Sequence, residues 1–364
     1  MELSPFPYHG PLRPEQVKGR DDLVADLTER LTARLVTAVL GPRRFGKTSV
    51  LVRVADDLAR AGTSVVWVDL YEITSMSDLA LRFDAALADA SGPVRGRLFS
   101  IAASVDLNLG LLKVGFARRR GDRPDPSGTL HLLLDTLVRA ASEKPTVIVF
   151  DEFPGIARVD GAAGLLRTKL QHHFQQIGIV FAGSQPSLMR AMFTEKAMPF
   201  YAQADLVTIG PFSLGAAIDI VDDGFASTGR DAGRLGASIH GFTGGHPHRT
   251  MQLADAAWRA AEPGEPYGDH VWEAALTAVR TNTDLANETV YSGFGTSEKT
   301  VLRLLASSES LFGAAADLLG LSAGSAQNAR EKLLASGDIT ESGSNLIVVD
   351  PLFADWVRRR LPVY

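Results

Sequence analysis

The stretch that most restricts this chain is GPRRFGKTS at residues 41–49. Gly41 and Gly46 bracket Pro42, Arg43, Arg44 and Phe45, and Lys47, Thr48 and Ser49 follow directly. That spacing is the phosphate-cradling signature. Glycine reaches positive φ without steric cost, so the loop can turn tightly and aim successive N–H groups inward. A helix starting at the second glycine adds its positive dipole end to the same point. Lys47 then reaches the β- and γ-phosphates, and the Thr48 hydroxyl offers a ligand to Mg²⁺. The implied cofactors are ATP, with ADP as its product, and Mg²⁺. A glycine-rich turn can match the pattern by accident, and context tests that. RLVTAVL (34–40) before the loop is a β-branched apolar run suited to a buried strand. KTSVLVRVADDLARAG after it places apolar residues at helical spacing and stops at Gly62. Both flanks fit.

More apolar runs follow: SVVWVDL (64–70), TVIVFDEF (146–153), GIVFAGSQ (178–185) and DLVTIGPF (205–212). Helical patterns separate them, at 78–90, 127–143 and 161–176. Strands alternating with helices imply a parallel sheet covered on both faces. The pattern breaks between about 92 and 126, where alternation followed by ARRRGDR predicts an inserted β-ribbon with a flexible tip. That basic run suits either a solvated turn or a contact with phosphates or an acidic partner.

Phosphate binding alone gives no hydrolysis. Asp151 and Glu152 end an apolar strand about a hundred residues after the loop. Asp151 is placed to hold the Mg²⁺ shell, and Glu152 to orient and deprotonate an attacking water. Ser184 and Gln185 end the next strand. The residues leave two roles open there, a polar group sensing the γ-phosphate or a capping serine.

With 364 residues there is room for two or three domains. Cysteine is absent, which excludes disulfides, thiol nucleophiles and cysteine-ligated zinc. The histidines, His172, His173, His240, His246 and His248 among them, lack zinc-protease spacing. The segment MELSPFPYHG has no signal-peptide character, and no apolar run approaches the ~20 residues of a membrane helix. The expectation is a soluble cytoplasmic protein with no membrane partner.

Taken together, EQVKGRDDLVADL (15–27), GPRRFGKTSVL (41–51), VIVFDEF (147–153), VFAGSQ (180–185), MPFYAQADLVTIGPF (198–212), GFTGGHPHRTMQLA (241–254) and VVDPLFADWVRRRL (348–361) resemble the archaeal-type ATPase family. That family is a branch of the AAA+ class close to the STAND signalling ATPases. The resemblance spans nearly the whole chain. It implies a P-loop NTPase sheet of AAA+/ASCE type over 1–212, a helical lid domain over 213–290, and a C-terminal winged helix-turn-helix over 291–364. It also implies that Gly19 and Arg20 lie near the nucleotide, and that Gly245, His246 and Pro247 form a lid motif whose proline packs near adenine. The family's Tyr-Gly-Arg stretch stands here as Tyr201-Ala202-Gln203, without the arginine. Arg249 of the lid, or an arginine from a neighbouring subunit, would have to supply that charge; a surface helix position is the other reading of Arg249.

The order helix, helix, helix, hairpin over 296–350 agrees with a winged helix. Its recognition-helix candidates are Ser325, Gln327, Asn328, Arg330 and Lys332, residue types that can read base edges. Yet from 291 onward seven basic residues face eight acidic ones, a poor balance for gripping phosphates. Two readings follow. One is a nucleotide-driven switch that acts on a protein partner or on a second copy of itself. The other is an ATPase that grips duplex DNA through the winged helix and the basic insertion.

Overall fold

The computed structural model describes residues 2–105, 107–110, 125–343 and 345–364, apart from the Ser342 side chain. The chain divides into two compact units. One comprises Arg13–Gly41 and Lys47–Ile209; the other comprises the residues up to Leu12, the loop Pro42–Gly46, and Gly210–Tyr364. Each is described by itself.

The first unit is built on five parallel strands: β1 (Val36–Leu40), β2 (Ser64–Asp69), β3 (Thr146–Asp151), β4 (Gly178–Gly183) and β5 (Asp205–Thr208), in the order β2-β3-β4-β1-β5. All five expected strands form. Strands β3 and β4 are buried at every position, and β1 at all but its first. Such central strands need continuous apolar runs, which is why these segments do not alternate. Edge strands β2 and β5 keep exposed positions. Helices α1 (Asp21–Thr32), α2 (Lys47–Arg60), α3 (Met76–Asp89), α4 (Val94–Ser104), α5 (Pro126–Glu143), α6 (Ala162–Leu170) and α7 (Pro186–Thr194) complete the unit. A cluster of Phe150, Phe153, Phe181, Phe193 and Phe200 packs below the ends of β3 and β4, with ring centroids 4.4–6.1 Å apart among them.

One expectation fails here. Residues 94–104, read as the start of a β-ribbon, form α4, which buries Val94, Leu98, Ile101 and Ala102. Alternation over so few residues does not separate a strand from a helix with one apolar stripe. The rest of the expected ribbon and the basic run ARRRGDR lie outside the described residues, apart from its flanks.

The second unit is helical, with α8 (Leu214–Ala226), α9 (Leu235–Thr243), α10 (Pro247–Ala260) and α11 (Asp269–Ser292), then α12 (Thr296–Ala306), α13 (Ala314–Leu318) and α14 (Ala323–Ser336). An antiparallel hairpin of β6 (Ile339–Ser342) and β7 (Asn345–Val348) leads into α15 (Pro351–Arg360). The buried apolar side chains form two clusters. One gathers Ala217, Val221, Phe225, Leu235 and Trp258. The other gathers Val301, Leu302, Leu333, Ile339 and Val357. The second cluster sits within the element order of a winged helix-turn-helix.

Candidate functional site

The sheet brings the carboxyl ends of β1, β4 and β3 side by side, since β4 lies between the strand that enters the loop and the strand that carries the acids. Ligands of open parallel sheets bind at this edge. Thr48 Oγ1 donates to Asp151 Oδ2 at 3.0 Å, across 103 residues of sequence. Lys47, 5% exposed, donates from Nζ to the Gly41 carbonyl at 2.7 Å, so its ammonium is held at the loop. Gly41 cannot carry a side chain: a Cβ would lie 2.9 Å from the Ile209 carbonyl oxygen. Ser49 is buried in the first turn of α2.

Burial raises the Asp151 carboxyl above the ordinary value; the Thr48 hydrogen bond opposes this, and the charges of Glu152 and Asp69 add to it. Glu152 follows in the left-handed region at φ 49°, an uncommon backbone state for a side chain of that size. Its Oε2 accepts the Ser184 hydroxyl at 2.8 Å and the Ser184 N–H at 3.3 Å. Ser184 therefore orients Glu152. It does not cap α7, whose N-cap position is Gln185, without a side-chain cap bond. The preceding Gly183 has no room for a Cβ, which would lie 2.5 Å from Pro154 Cδ.

Sequence reasoning missed Asp69. It ends β2 in register with Asp151, accepts the Tyr71 N–H at 2.9 Å and lies 3.5 Å from Arg82. Acids ending two apolar runs were the available signal. Gly19 takes φ 64° just before α1, and burial lowers the neighbouring Arg20 guanidinium to about 10.

The loop Pro42–Gly46 belongs to the second unit. Gly46 has φ 86°, and Arg44, a non-glycine residue, has φ 66°. Buried Phe45 meets the His246 ring edge-on, with centroids 4.8 Å apart. His246 is the N-cap of α10, its Nδ1 accepting the Arg249 N–H at 3.4 Å. Pro247 occupies the first turn of α10 and is buried. Burial lowers His246 to about 4 and His248 to about 3, with the charge of Arg249 contributing to both. Gly245, at φ 77°, comes against the Phe212 backbone, where a Cβ has no space.

Arg249 differs from the surface-residue expectation for it. It is 5% exposed, so it is no surface residue. Its Nε donates to Asp350 at 2.9 and 3.1 Å, its Nη2 also donates to Asp350, and its Nη1 donates to Gln252 at 2.6 Å. Tyr201-Ala202-Gln203 forms a turn with Ala202 at φ 54°.

Among the recognition-helix candidates, Ser325 bonds the N-cap Ser322, Gln327 donates to Glu331 at 2.7 Å, Arg330 lies 3.4 Å from Glu341, and Lys332 lies 3.6 Å from Glu298. Asn328 is exposed. Among the described residues no three His, Asp or Glu side chains gather to hold a metal, and no helix is long and apolar enough to cross a membrane.

No protein-family model and no curated protein matches the chain. Among solved structures, the Walker-type ATPase of Pyrococcus abyssi matches at 18% identity and a TM-score of 0.72, covering 97% of this chain and 99% of that one. The ORC1 protein of Aeropyrum pernix, solved in complex with DNA, matches at 15% identity and a TM-score of 0.49, covering 94% and 93%. The ADP form of the ORC2 protein of the same organism matches at 16% identity and 0.49, covering 98% and 95%. Only the first is near enough to carry an argument, and it speaks for fold. The chain shares the fold of that Walker-type ATPase: a five-stranded parallel sheet followed by helices, a two-stranded hairpin and a final helix.

Proposed function

We propose that this chain binds ATP with Mg²⁺ in the loop 41–49 and hydrolyses it, and that its nucleotide state controls a protein partner through the helical and winged-helix modules. The observation that carries this reading is the Thr48–Asp151 bond at 3.0 Å, which joins the loop to the acid strand. Two hard oxygens at one point suit Mg²⁺, which fills its remaining positions with water and phosphate oxygens. Burial and neighbouring acids also leave the Asp151 charge uncompensated, so a cation there stabilises it. When bound, the ion neutralises charge on the phosphates.

The chain's own residues do the rest. Loop N–H groups and the Lys47 ammonium hold the β- and γ-phosphates. Glu152, oriented by Ser184, takes a proton from water as its oxygen bonds to the γ-phosphorus. The bond to the β–γ bridging oxygen breaks, and ADP and phosphate leave. The loop assigns Arg43, Arg44 and Phe45 to the phosphates, and the family resemblance assigns Gly19 and Arg20 to the nucleotide and Pro247 to adenine. Nucleotide titration with and without Mg²⁺ tests the reading. Lys47→Ala should lose tight ATP binding, and unchanged affinity would remove the phosphate-loop assignment.

The alternative, a DNA-gripping ATPase, receives less support. The two cations of α14 are already paired with acids, leaving little charge to release counterions from phosphates. Duplex binding with a steep salt dependence would reverse that preference.

A further inference from the structure

The segment Glu2–Pro11 forms no helix or strand, yet its Phe6 is 2% exposed and belongs to the apolar cluster around α8 and α10. The Phe6 ring lies 5.8 Å from that of Phe225 and against Gly224, where an added Cβ would come 2.3 Å from Phe6 Cζ. Gly224 stands inside α8, where glycine weakens a helix, and its place there makes room for this ring. Two more side chains flank the anchor. Glu2 meets Arg230 Nη1 at 2.8 Å, and Tyr8 meets the His248 ring edge-on with centroids 5.6 Å apart. Arg230 is seated without help from Glu2. Its Nε donates to the Ala261 carbonyl at 3.0 Å, and its guanidinium lies 4.2 Å over the Trp258 ring. Trp258 is fixed in turn by its Nε1, which donates to Thr228 at 2.8 Å. Among the described residues, no backbone–backbone hydrogen bond joins Glu2–Pro11 to these helices, so its side chains hold it. Gly10 then turns at φ 69°, and the chain enters the sheet unit at Arg13.

We propose that the helical unit carries a peptide-binding groove, with Glu2–Tyr8 as its resident ligand. The ligand class is an extended segment with a carboxylate, a phenylalanine four residues later and a tyrosine two beyond that. A partner segment carrying those groups at that spacing takes the groove by displacing the resident one. The anatomy is that of a peptide interface: one aromatic in a fitted pocket, with an ion pair and a ring contact beside it. Pro5 and Pro7 enclose Phe6, and each fixes φ, so the segment loses little freedom on binding. Tethering holds the resident segment at an effective concentration on the order of millimolar, so the groove stays filled until the tether opens or a strong competitor arrives.

The test opens the tether in the full chain. A protease site is inserted after Gly10, within the exposed stretch His9–Pro11, and exchange of the cut segment for a labelled peptide of residues 1–10 is followed by fluorescence anisotropy. The cut protein should keep its helical circular dichroism and take up the peptide, with an apparent affinity about a hundredfold above that of the uncut chain, whose own segment competes. A Phe6→Ala peptide should bind about a hundredfold more weakly, the scale of losing a buried aromatic ring. A Glu2→Gln peptide should lose only about threefold, because the Glu2 carboxylate is half exposed. Loss of helical signal on cutting, or a folded cut protein that takes up no peptide, overturns the proposal and makes Phe6 part of the core. If the inserted site itself prevents folding, the uncut Phe6→Ala chain decides. Its own segment is weakened, so it should bind the peptide where the parent does not. A Phe6→Ala chain that fails to fold, or folds and binds none, overturns the groove as well.

Discussion

Two kinds of buried aspartate divide this protein. Asp151, at the end of β3, has Glu152 and Asp69 as charged neighbours and a neutral hydroxyl as its hydrogen-bond donor, and burial raises its carboxyl. Asp355, in the middle of α15, is also buried, and Asp350, its N-cap, is partly buried; desolvation alone would raise both. Arg249 outweighs that at Asp350, and Arg280 with Arg359 outweighs it at Asp355, so both are held below the ordinary carboxylate value. The first acid is surrounded by a hydroxyl and further acids, the others by arginines. An uncompensated buried charge marks a site, whereas a compensated one marks architecture.

The sharpest way to break this contrast is to remove a compensated acid. Asp355→Ala strips the partner from Arg280 and should cost about 3 kcal/mol in chemical unfolding, the low end for breaking a buried pair because the arginines keep some water. A loss below about 0.5 kcal/mol, the scale of a surface substitution, would show that α15 is held by apolar packing instead.

Glu152→Gln addresses the other side. ATP binding should persist while steady-state hydrolysis falls by ~10² or more, the scale of a positioned base. Parent-like turnover would move the base to another group, with Asp69 the nearest acid to examine.

Acid should separate the two regions as well. His246 titrates at about 4 and His248 at about 3 in the fold, against about 6.5 when unfolded, so the unfolded chain binds more protons as pH falls. Stability should therefore drop between pH 6.5 and 4, by up to roughly 3 kcal/mol for His246 alone. His246→Asn, which retains a capping acceptor, should flatten that part of the profile. An unchanged slope would mean the ring is protonated in the fold.

The smallest effect has the opposite sign. Asp151→Asn keeps an acceptor for Thr48 and removes an unpaired charge, so the nucleotide-free protein should gain about 1 kcal/mol while losing Mg²⁺-dependent nucleotide binding. Destabilisation in a thermal melt would place a compensating cation beside Asp151 already.

Much of the site was legible because its chemistry is local. Lys47 and Thr48 follow Gly46 in one stretch, and Asp151 and Glu152 close one strand, so residue type and spacing are enough to propose their roles. The partners of those residues were less legible. Ser184 could be a phosphate sensor or a cap until β4 placed its hydroxyl against Glu152. Asp69 carried no motif, and only its register with Asp151 brings it into the group. The error at 94–104 is of another kind: short alternation does not separate strand from helix when the burying face is set by packing against other helices.

By itself, the sequence determined the five strands, the phosphate-loop motif and the acid pair, since hydrophobic period and glycine placement act over a few residues. Tertiary structure decided the strand order that sets β4 between loop and acids, and it decided what Arg249 does. From sequence Arg249 read as an arginine supplying charge from the lid or as a surface residue. Folding buried it and supplied Asp350 from 101 residues away, because a charge taken out of water requires a counter-charge, and only the packed chain specifies which one.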